Sequence, residues 1–251
     1  LYEPCIRPMI PYGIRGVLWD QGESGTAVAG VGLYTLMGAL IKNWRQDWGE
    51  GEFPFIYVQK PSGGGCAWDY TDLVTTNSDP FAPLPVNSML DENGGYEVYS
   101  KVRIMGYPNT GMAISSDLGG GLHPVNKSGY GYRAAGVALG MVYGRPIEYY
   151  GPIYDSFKVE GSTIRVIFKH VGQGLAFRNG EKLQGFAICG EDKVWFWADA
   201  RIDGDTVVLS NERVSKPVAA RYAWAGFRPW ANFFNKDGLP AVIFRTDVPM
   251  P

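Results

Sequence analysis

A strand, helix and strand pattern within residues 14–59 is the feature that most constrains the fold of this chain. Residues 14–19 are typical of a short buried strand. Apolar residues then recur at steps of three and four from Leu33 to Trp44, which predicts an amphipathic helix, and Gly49 is expected to end it. Residues 53–59 predict a second buried strand. Together they indicate a βαβ unit, and therefore a parallel strand pair with a right-handed crossover.

The rest of the first half predicts a continuation of this α/β pattern. Residues 61–95 are rich in Gly, Pro, Asn and Asp and predict a long irregular segment, of the kind that often carries function. Residues 112–116 predict a further strand. A helix is expected to start at Pro124 and to end near Tyr143.

The pattern changes after residue 146. Apolar and polar residues alternate in residues 163–169, 194–200 and 205–210, which indicates short strands, and turn residues separate them. Strands at this spacing predict an antiparallel β-sandwich of about 100 residues. We therefore predict two domains, an α/β domain over residues 1–149 and a β-sandwich over residues 150–251.

Charge and cysteine content exclude several classes of function. The net charge of -2 leaves no basic surface for nucleic acid, and no apolar run reaches the roughly 20 residues that a membrane span needs. The three cysteines form no Cys-x-x-Cys pair and there are only two histidines, so neither a zinc site nor another metal or cofactor is expected. Because the chain begins at Leu1 in what reads as an internal connection, we expect a processed or truncated piece of a longer protein.

Two polar segments indicate a hydrolase pocket. The first predicted strand runs directly into the turn Gln21-Gly22-Glu23-Ser24, and His123 lies just before a predicted helix. In α/β sheets, pockets form at the carboxyl ends of the strands, where such residues meet. The usual nucleophile motifs Gly-Asp-Ser, Gly-x-Ser-x-Gly and Gly-Gln-Ser-Asn are absent from the sequence.

Motifs along nearly the whole chain carry a family resemblance. They are residues 14–24 (Ile-Arg-Gly-Val-Leu-Trp-Asp-Gln-Gly-Glu-Ser), 44–45 (Trp-Arg), 53–55 (Phe-Pro-Phe), 109–113 (Asn-Thr-Gly-Met-Ala), 123–127 (His-Pro-Val-Asn-Lys), 185–188 (Gly-Phe-Ala-Ile), 221–224 (Arg-Tyr-Ala-Trp), 235–240 (Asn-Lys-Asp-Gly-Leu-Pro) and 244–247 (Phe-Arg-Thr-Asp). In these motifs the chain resembles the sialate O-acetylesterases, a carbohydrate-esterase branch of the SGNH hydrolases. One departure is Gly25, where the family usually has asparagine.

The resemblance implies the fold, the missing nucleophile and the cellular location. It implies that residues 1–149 are the later part of an SGNH-type doubly wound parallel sheet. It also implies that the nucleophilic serine lies in a Gly-Gln-Ser-Asn block upstream of the equivalent of Leu1, on an amino-terminal segment or subunit. A secreted, periplasmic or lysosomal location is expected over a cytoplasmic one.

His123 is the expected catalytic base, because a serine nucleophile needs a neighbouring base with a pKa near 7. The orienting acid is harder to assign. Many SGNH enzymes have an aspartate two or three residues before the histidine, but this chain has Gly121 and Gly120 there. Asp117 lies six residues before His123 and reaches the imidazole if the glycine-rich stretch folds back. The alternative is that Asp117 caps a loop and a backbone carbonyl orients the ring.

By the same resemblance, Gln21, Gly22 and Glu23 support the oxyanion hole. Gln21 donates through its amide, Gly22 permits a close backbone approach, and Glu23 holds the turn. The alternative for this block is a tight turn without chemistry. Two glycine triplets, residues 63–65 and 119–121, match no phosphate-binding pattern and are expected to be at most flexible pocket walls. His170 is expected to be structural.

The expected function is hydrolysis of O-acetyl esters on sugars, with sialic acid as the substrate that the resemblance implies, through a serine acyl-enzyme. The partners expected are the O-acetylated sugar and the segment that carries the serine. A catalytically inactive carbohydrate-binding protein remains the alternative, because the acid and the serine are both missing from their usual positions.

Overall fold

The computed structural model describes residues 2–21, 28–121 and 123–248. This part of the chain is an α/β structure that combines one parallel sheet with antiparallel sheets. Its α-helices are α1 (Leu33–Trp48), α2 (Glu92–Arg103) and α3 (Lys127–Val137). Its strands are β1 (Val17–Trp19), β2 (Phe55–Val58), β3 (Thr110–Ala113), β4 (Ile153–Glu160), β5 (Thr163–Lys169), β6 (Leu175–Phe177), β7 (Phe186–Cys189), β8 (Trp195–Trp197), β9 (Asp199–Asp203), β10 (Thr206–Ser210), β11 (Ala219–Tyr222), β12 (Phe233–Asn235) and β13 (Phe244–Arg245).

Strands β1, β2 and β3 form a three-stranded parallel sheet in that order, with β2 in the middle. Trp19 lies opposite Tyr57 in β2, and Tyr57 lies opposite Met112 in β3. All four residues of β2 are buried, as expected for a strand with neighbours on both edges and helices on its faces. The predicted parallel pair is confirmed, although the strands are shorter than the apolar runs that predicted them.

Helix α1 connects β1 to β2 and packs through Met37, Ile41 and Trp48, which are buried. It ends where the sequence predicts, since Gly49 adopts a left-handed conformation (φ 69°) and donates its N–H to the carbonyl of Arg45. The amphipathic spacing therefore identified the helix, and the glycine identified its end.

Four expectations about the secondary structure were wrong in detail. The strand predicted over residues 112–116 is β3, which covers Thr110–Ala113 and so begins and ends earlier. Helix α3 begins at Lys127 and not at Pro124, because the side chain of Asn126 caps it by accepting a hydrogen bond from the N–H of Gly129 at 2.9 Å. Residues 194–200 contain parts of two strands, β8 and β9, and not one. Helix α2 was not predicted; its first four residues fall within the segment 61–95, which was expected to be irregular.

The second half forms two four-stranded antiparallel sheets, β4-β5-β10-β9 and β13-β11-β7-β8, and a two-stranded sheet of β12 and β6. One buried cluster contains side chains from both four-stranded sheets, among them Ile164, Val207, Phe186 and Tyr222. Within the described ranges, no helix is long and apolar enough to cross a membrane.

The cluster around the parallel sheet also includes residues from the end of the chain. Trp224, Val242 and Ile243 pack with Phe55 and Met112 of the parallel sheet. The carboxyl-terminal residues therefore help to hold the sheet that carries the candidate site.

Candidate functional site

Polar residues gather at the carboxyl edge of the parallel sheet. Gln21 follows β1, Lys60 follows β2, and Asp117 and His123 follow β3. Neighbouring strands are about 4.8 Å apart, so the segments that follow the two outer strands start roughly 10 Å from each other across the end of β2. This edge is where ligands bind in open α/β sheets.

Gln21 is exposed at the end of β1 and lines a cleft of about 340 Å³. The other residues of this cleft belong to β1 and α1 and are mostly apolar; they are Trp19, Leu33, Leu36, Met37, Ala39, Leu40 and Asn43. Gly22 and Glu23, which were predicted to complete the oxyanion hole, lie outside the described residues. The oxyanion-hole role of all three residues stays a prediction.

His123 has an exposed side chain in the segment between β3 and α3. The chain that follows it is firmly held: Pro124 is buried, and the amide of Asn126 donates to the carbonyl of Val74 at 2.6 Å while its oxygen caps α3. An exposed imidazole beside an anchored helix start is accessible to a second reacting group. That arrangement suits the predicted role of a general base.

Asp117 is fully buried and paired with an arginine of α3. Its Oδ2 accepts a hydrogen bond from Nη2 of Arg133 at 2.6 Å, and the two side chains are 0% and 6% exposed. Within the described residues, Asp117 makes no hydrogen bond to His123, and its Oδ1 has no partner. The predicted contact with the imidazole is therefore not formed in this conformation, and a catalytic role for Asp117 stays a prediction.

The two glycine triplets pack against each other rather than forming independent flexible walls. Gly63 has a left-handed backbone (φ 81°), and a Cβ built on it would lie 2.4 Å from the backbone nitrogen of Gly120. A Cβ on Gly119 would lie 2.5 Å from the carbonyl oxygen of Asn77. Because only glycine permits these approaches, the loop after β2 and the loop that leads to His123 interlock through their backbones.

Sequence reasoning missed several charged and polar residues at this edge. Lys60 is buried and paired with Asp20, and its ammonium lies over the ring of Tyr130 in α3. One signal was available, because a lysine directly after a buried strand must find a partner for its charge. No sequence signal identified Tyr130 as a partner of Lys60, or Arg133 as the partner of Asp117.

The other candidate reactive groups are His170 and Cys66, and both take part in internal hydrogen bonds. Nδ1 of His170 is 2.8 Å from Oε1 of Glu148, and the ring packs edge-on against Tyr150. Burial raises the pKa of the Cys66 thiol to about 12, so this cysteine is not a nucleophile near neutral pH. Among the described residues, no group of three or more His, Cys, Asp or Glu is placed to hold a metal ion.

Comparisons with known proteins identify relatives of the chain. No protein-family model matches it. It is 26% identical to the sialate O-acetylesterase of Mus musculus over 267 residues, which cover 97% of this chain and 46% of that protein. The identity to the sialate O-acetylesterase of Rattus norvegicus is 30% over 270 residues, which cover 97% of this chain and 46% of that protein. The chain thus spans about half the length of the curated relatives it matches.

A solved structure of a carbohydrate acetylesterase has a similar fold. The crystal structure of a carbohydrate acetylesterase from Xanthomonas citri superposes with a TM-score of 0.77 at 31% sequence identity. The match covers 97% of this chain and 53% of that one.

Proposed function

We propose, since the chain belongs to the sialate O-acetylesterase family, that it supplies the base and part of the oxyanion hole of a carbohydrate O-acetylesterase. The observation that carries this proposal is that Gln21 and His123 follow the two outer strands of one parallel sheet at the same edge. A carbonyl that lies over the end of β2 then has an amide donor on one side and an imidazole on the other.

The proposed mechanism is a serine acyl-enzyme cycle. The serine hydroxyl attacks the acetyl carbonyl while His123 takes its proton, and the amide of Gln21 with the backbone at Gly22 stabilises the oxyanion. His123 returns the proton to the departing sugar oxygen. His123 then takes a proton from the water that attacks the acyl-enzyme carbonyl, and it passes this proton to the serine oxygen as the acyl C–O bond breaks and acetate leaves.

The serine is proposed to come from a segment outside these 251 residues. Two features of the described surface support such a partner. Strand β1 pairs on one side, with β2, among the described strands, and its Leu18 side chain is 58% exposed. Beside β1 lies an apolar cleft of about 730 Å³, lined by Pro8, Met9, Ile10, Pro11, Tyr12, Ile14, Gly16, Val17, Trp44 and Trp48. An open strand edge with apolar surface next to it suits a segment that extends the sheet.

The finer fold and substrate belong to the same proposal. We propose that β1–β3 are part of an SGNH-type doubly wound sheet in residues 1–149, and that residues 150–251 form a β-sandwich domain. The proposed substrate is an O-acetylated sialic acid, by relation to the proteins of that name. Release of acetate from O-acetylated sialic acid, compared with acetylated xylan, tests the choice of sugar.

A carbohydrate-binding protein without catalysis is the second candidate. The ion pair between Asp117 and Arg133 favours it, because that carboxylate is already neutralised by the arginine. Titration with an O-acetylated sugar distinguishes the two functions: an enzyme converts the sugar, whereas a binding protein returns it unchanged.

The decisive experiment compares the chain alone with the chain co-expressed with its preceding segment. We expect hydrolysis of p-nitrophenyl acetate by the pair and background rates from residues 1–251 alone. Turnover by these residues alone that a serine-directed phosphonate blocks would contradict the proposal, since it would reveal a nucleophile within them. If the chain and its preceding segment associate but do not hydrolyse the ester, the carbohydrate-binding function would be favoured.

Two substitutions in the complete enzyme test the assigned roles. His123→Ala is expected to lower kcat on the order of 10³-fold, whereas the matched control His170→Ala leaves it within a few-fold. Gln21→Ala is expected to lower kcat roughly 10²–10³-fold with little change in KM. Its control is Asn43→Ala, which removes another amide from the same cleft. A rise in KM at constant kcat for Gln21→Ala would instead mark uniform binding of the sugar.

A further inference from the structure

A buried lysine lies at the end of the central strand of the parallel sheet. Lys60 comes two residues after β2, and its side chain is 2% exposed. A buried ammonium is unfavourable unless opposite charge and polar or aromatic groups surround it. The groups that surround Lys60 therefore have to be held close to the end of β2.

The first of these groups belongs to the segment after β1. The ammonium of Lys60 is 3.0 Å from Oδ1 of Asp20. Asp20 stands between Trp19, the last residue of β1, and Gln21, the proposed oxyanion donor. The ion pair thus fastens the residue next to Gln21 across the carboxyl edge of the sheet.

The second group belongs to α3. The ammonium lies 4.2 Å from the ring centroid of Tyr130, which is close enough for a cation–π interaction. Tyr130 is buried in the first turn of α3, and its hydroxyl shares a 2.5 Å hydrogen bond with Oγ of Ser62. Lys60 and Ser62, from the same short segment, therefore hold the start of α3, four residues after His123.

We propose that Lys60 is a positioning residue that fixes the separation between Gln21 and His123. This inference rests on the function proposed above. The two catalytic groups follow the outer strands β1 and β3, and Lys60 stands between them, in contact with Asp20 on one side and Tyr130 on the other. Misplacement of a catalytic group by about 1 Å is able to lower a rate roughly 10²-fold, so loss of the ammonium is expected to act on the chemical step.

The test uses the complete enzyme with Lys60→Met, which keeps an unbranched side chain, shorter by one heavy atom, and removes its charge. Asp20→Asn removes the other charge, and the double variant removes both. Lys42→Met is the matched control, because Lys42 is exposed on α1. Two readouts are taken: kcat and KM for p-nitrophenyl acetate, and hydrogen–deuterium exchange of peptides covering residues 14–21 and 116–126.

We expect Lys60→Met to lower kcat about 10–100-fold with KM changed less than about threefold. Exchange is expected to accelerate in both peptides, and not in peptides of β5 and β10. The double variant should lose no more kcat than Lys60→Met, because both changes break one pair. The control should match the wild type in both readouts.

Each outcome separates this inference from the function on which it rests. If the wild type is active, the positioning role is overturned when Lys60→Met leaves kcat unchanged, or when exchange is unchanged in either peptide. The esterase function then stands. A wild type without activity overturns the esterase, while exchange still decides whether Lys60 anchors both segments. If Lys60→Met does not fold, the double variant carries the test, because it leaves neither charge of the pair without its partner.

Discussion

Replacing Arg133 by methionine removes the positive partner of a fully buried carboxylate. Asp117 and Arg133 are 0% and 6% exposed and are joined at 2.6 Å. Among the described residues, Oδ1 of Asp117 and Nη1 of Arg133 have no hydrogen-bond partner, and the two side chains are joined by the one hydrogen bond between Nη2 and Oδ2. The variant therefore leaves an unneutralised charge in the interior.

The expected loss of unfolding free energy is about 3–5 kcal/mol, the usual result of breaking a buried pair by removing one partner. Asp117→Asn is expected to cost a similar amount, since it leaves Arg133 alone. The double variant Asp117→Asn/Arg133→Met should be more stable than either single variant, because it buries no unpaired charge. Arg201→Met is the control; its ion pair with Asp203 is exposed, and the expected cost is below about 1 kcal/mol.

Urea unfolding followed by tryptophan fluorescence measures these differences. A loss below about 1 kcal/mol for Arg133→Met would refute the reasoning, because the pair would then behave as a surface contact. The kcat of the folded variants tests whether Asp117 is the acid that orients His123. If Asp117 is the acid, Asp117→Asn lowers kcat far more than Arg133→Met does. If Asp117 only anchors α3, the two variants have similar kcat values.

Two further predictions concern thiol reactivity and the interlocked loops. Burial raises the pKa of the Cys66 thiol to about 12 and that of the Cys189 thiol to about 11. At about pH 8, Ellman's reagent should therefore react rapidly with one thiol of the native protein, the exposed Cys5. After unfolding it should react with all three. Rapid reaction of two native thiols would contradict this. Gly204 has φ 59° and open space around it, so Gly204→Ala should lower the free energy of unfolding only by the left-handed strain of about 1–2 kcal/mol. Gly63→Ala should lower it more, because its Cβ also contacts the backbone of Gly120. Equal losses in thermal unfolding would contradict the interlocked loops.

The βαβ unit could be predicted because the apolar runs and the glycine that mark it lie within the elements themselves. The spacing of apolar residues identified α1, and Gly49 identified its end. Helix α2 escaped prediction because Gly94 and Gly95 fall in its first turn and favour a loop. It is stabilised by distant residues: Glu92 pairs with the buried Arg221, and Trp224 packs against the face at Gly95.

The same contrast holds at the candidate site. Gln21 and His123 were predicted from motifs that are contiguous in sequence, and both follow strands of the parallel sheet. Lys60 and Arg133 could not be assigned, because their partners Asp20 and Asp117 are set by strand order and helix placement. Charge pairs across a sheet edge depend on the fold as a whole, which the local sequence does not report.

The missing acid and the conformation of the loop before His123 are physically linked. Gly119 is required by packing, whereas a Cβ at Gly121 would meet nothing within 4 Å. Gly121 has φ 106°, a backbone conformation that side-chain-bearing residues rarely adopt. An aspartate at position 121, two residues before His123, is therefore disfavoured by the backbone and not by lack of space. In the proposed enzyme, the imidazole would then be oriented by Asp117, by a backbone carbonyl or by a group from the segment that we propose carries the serine.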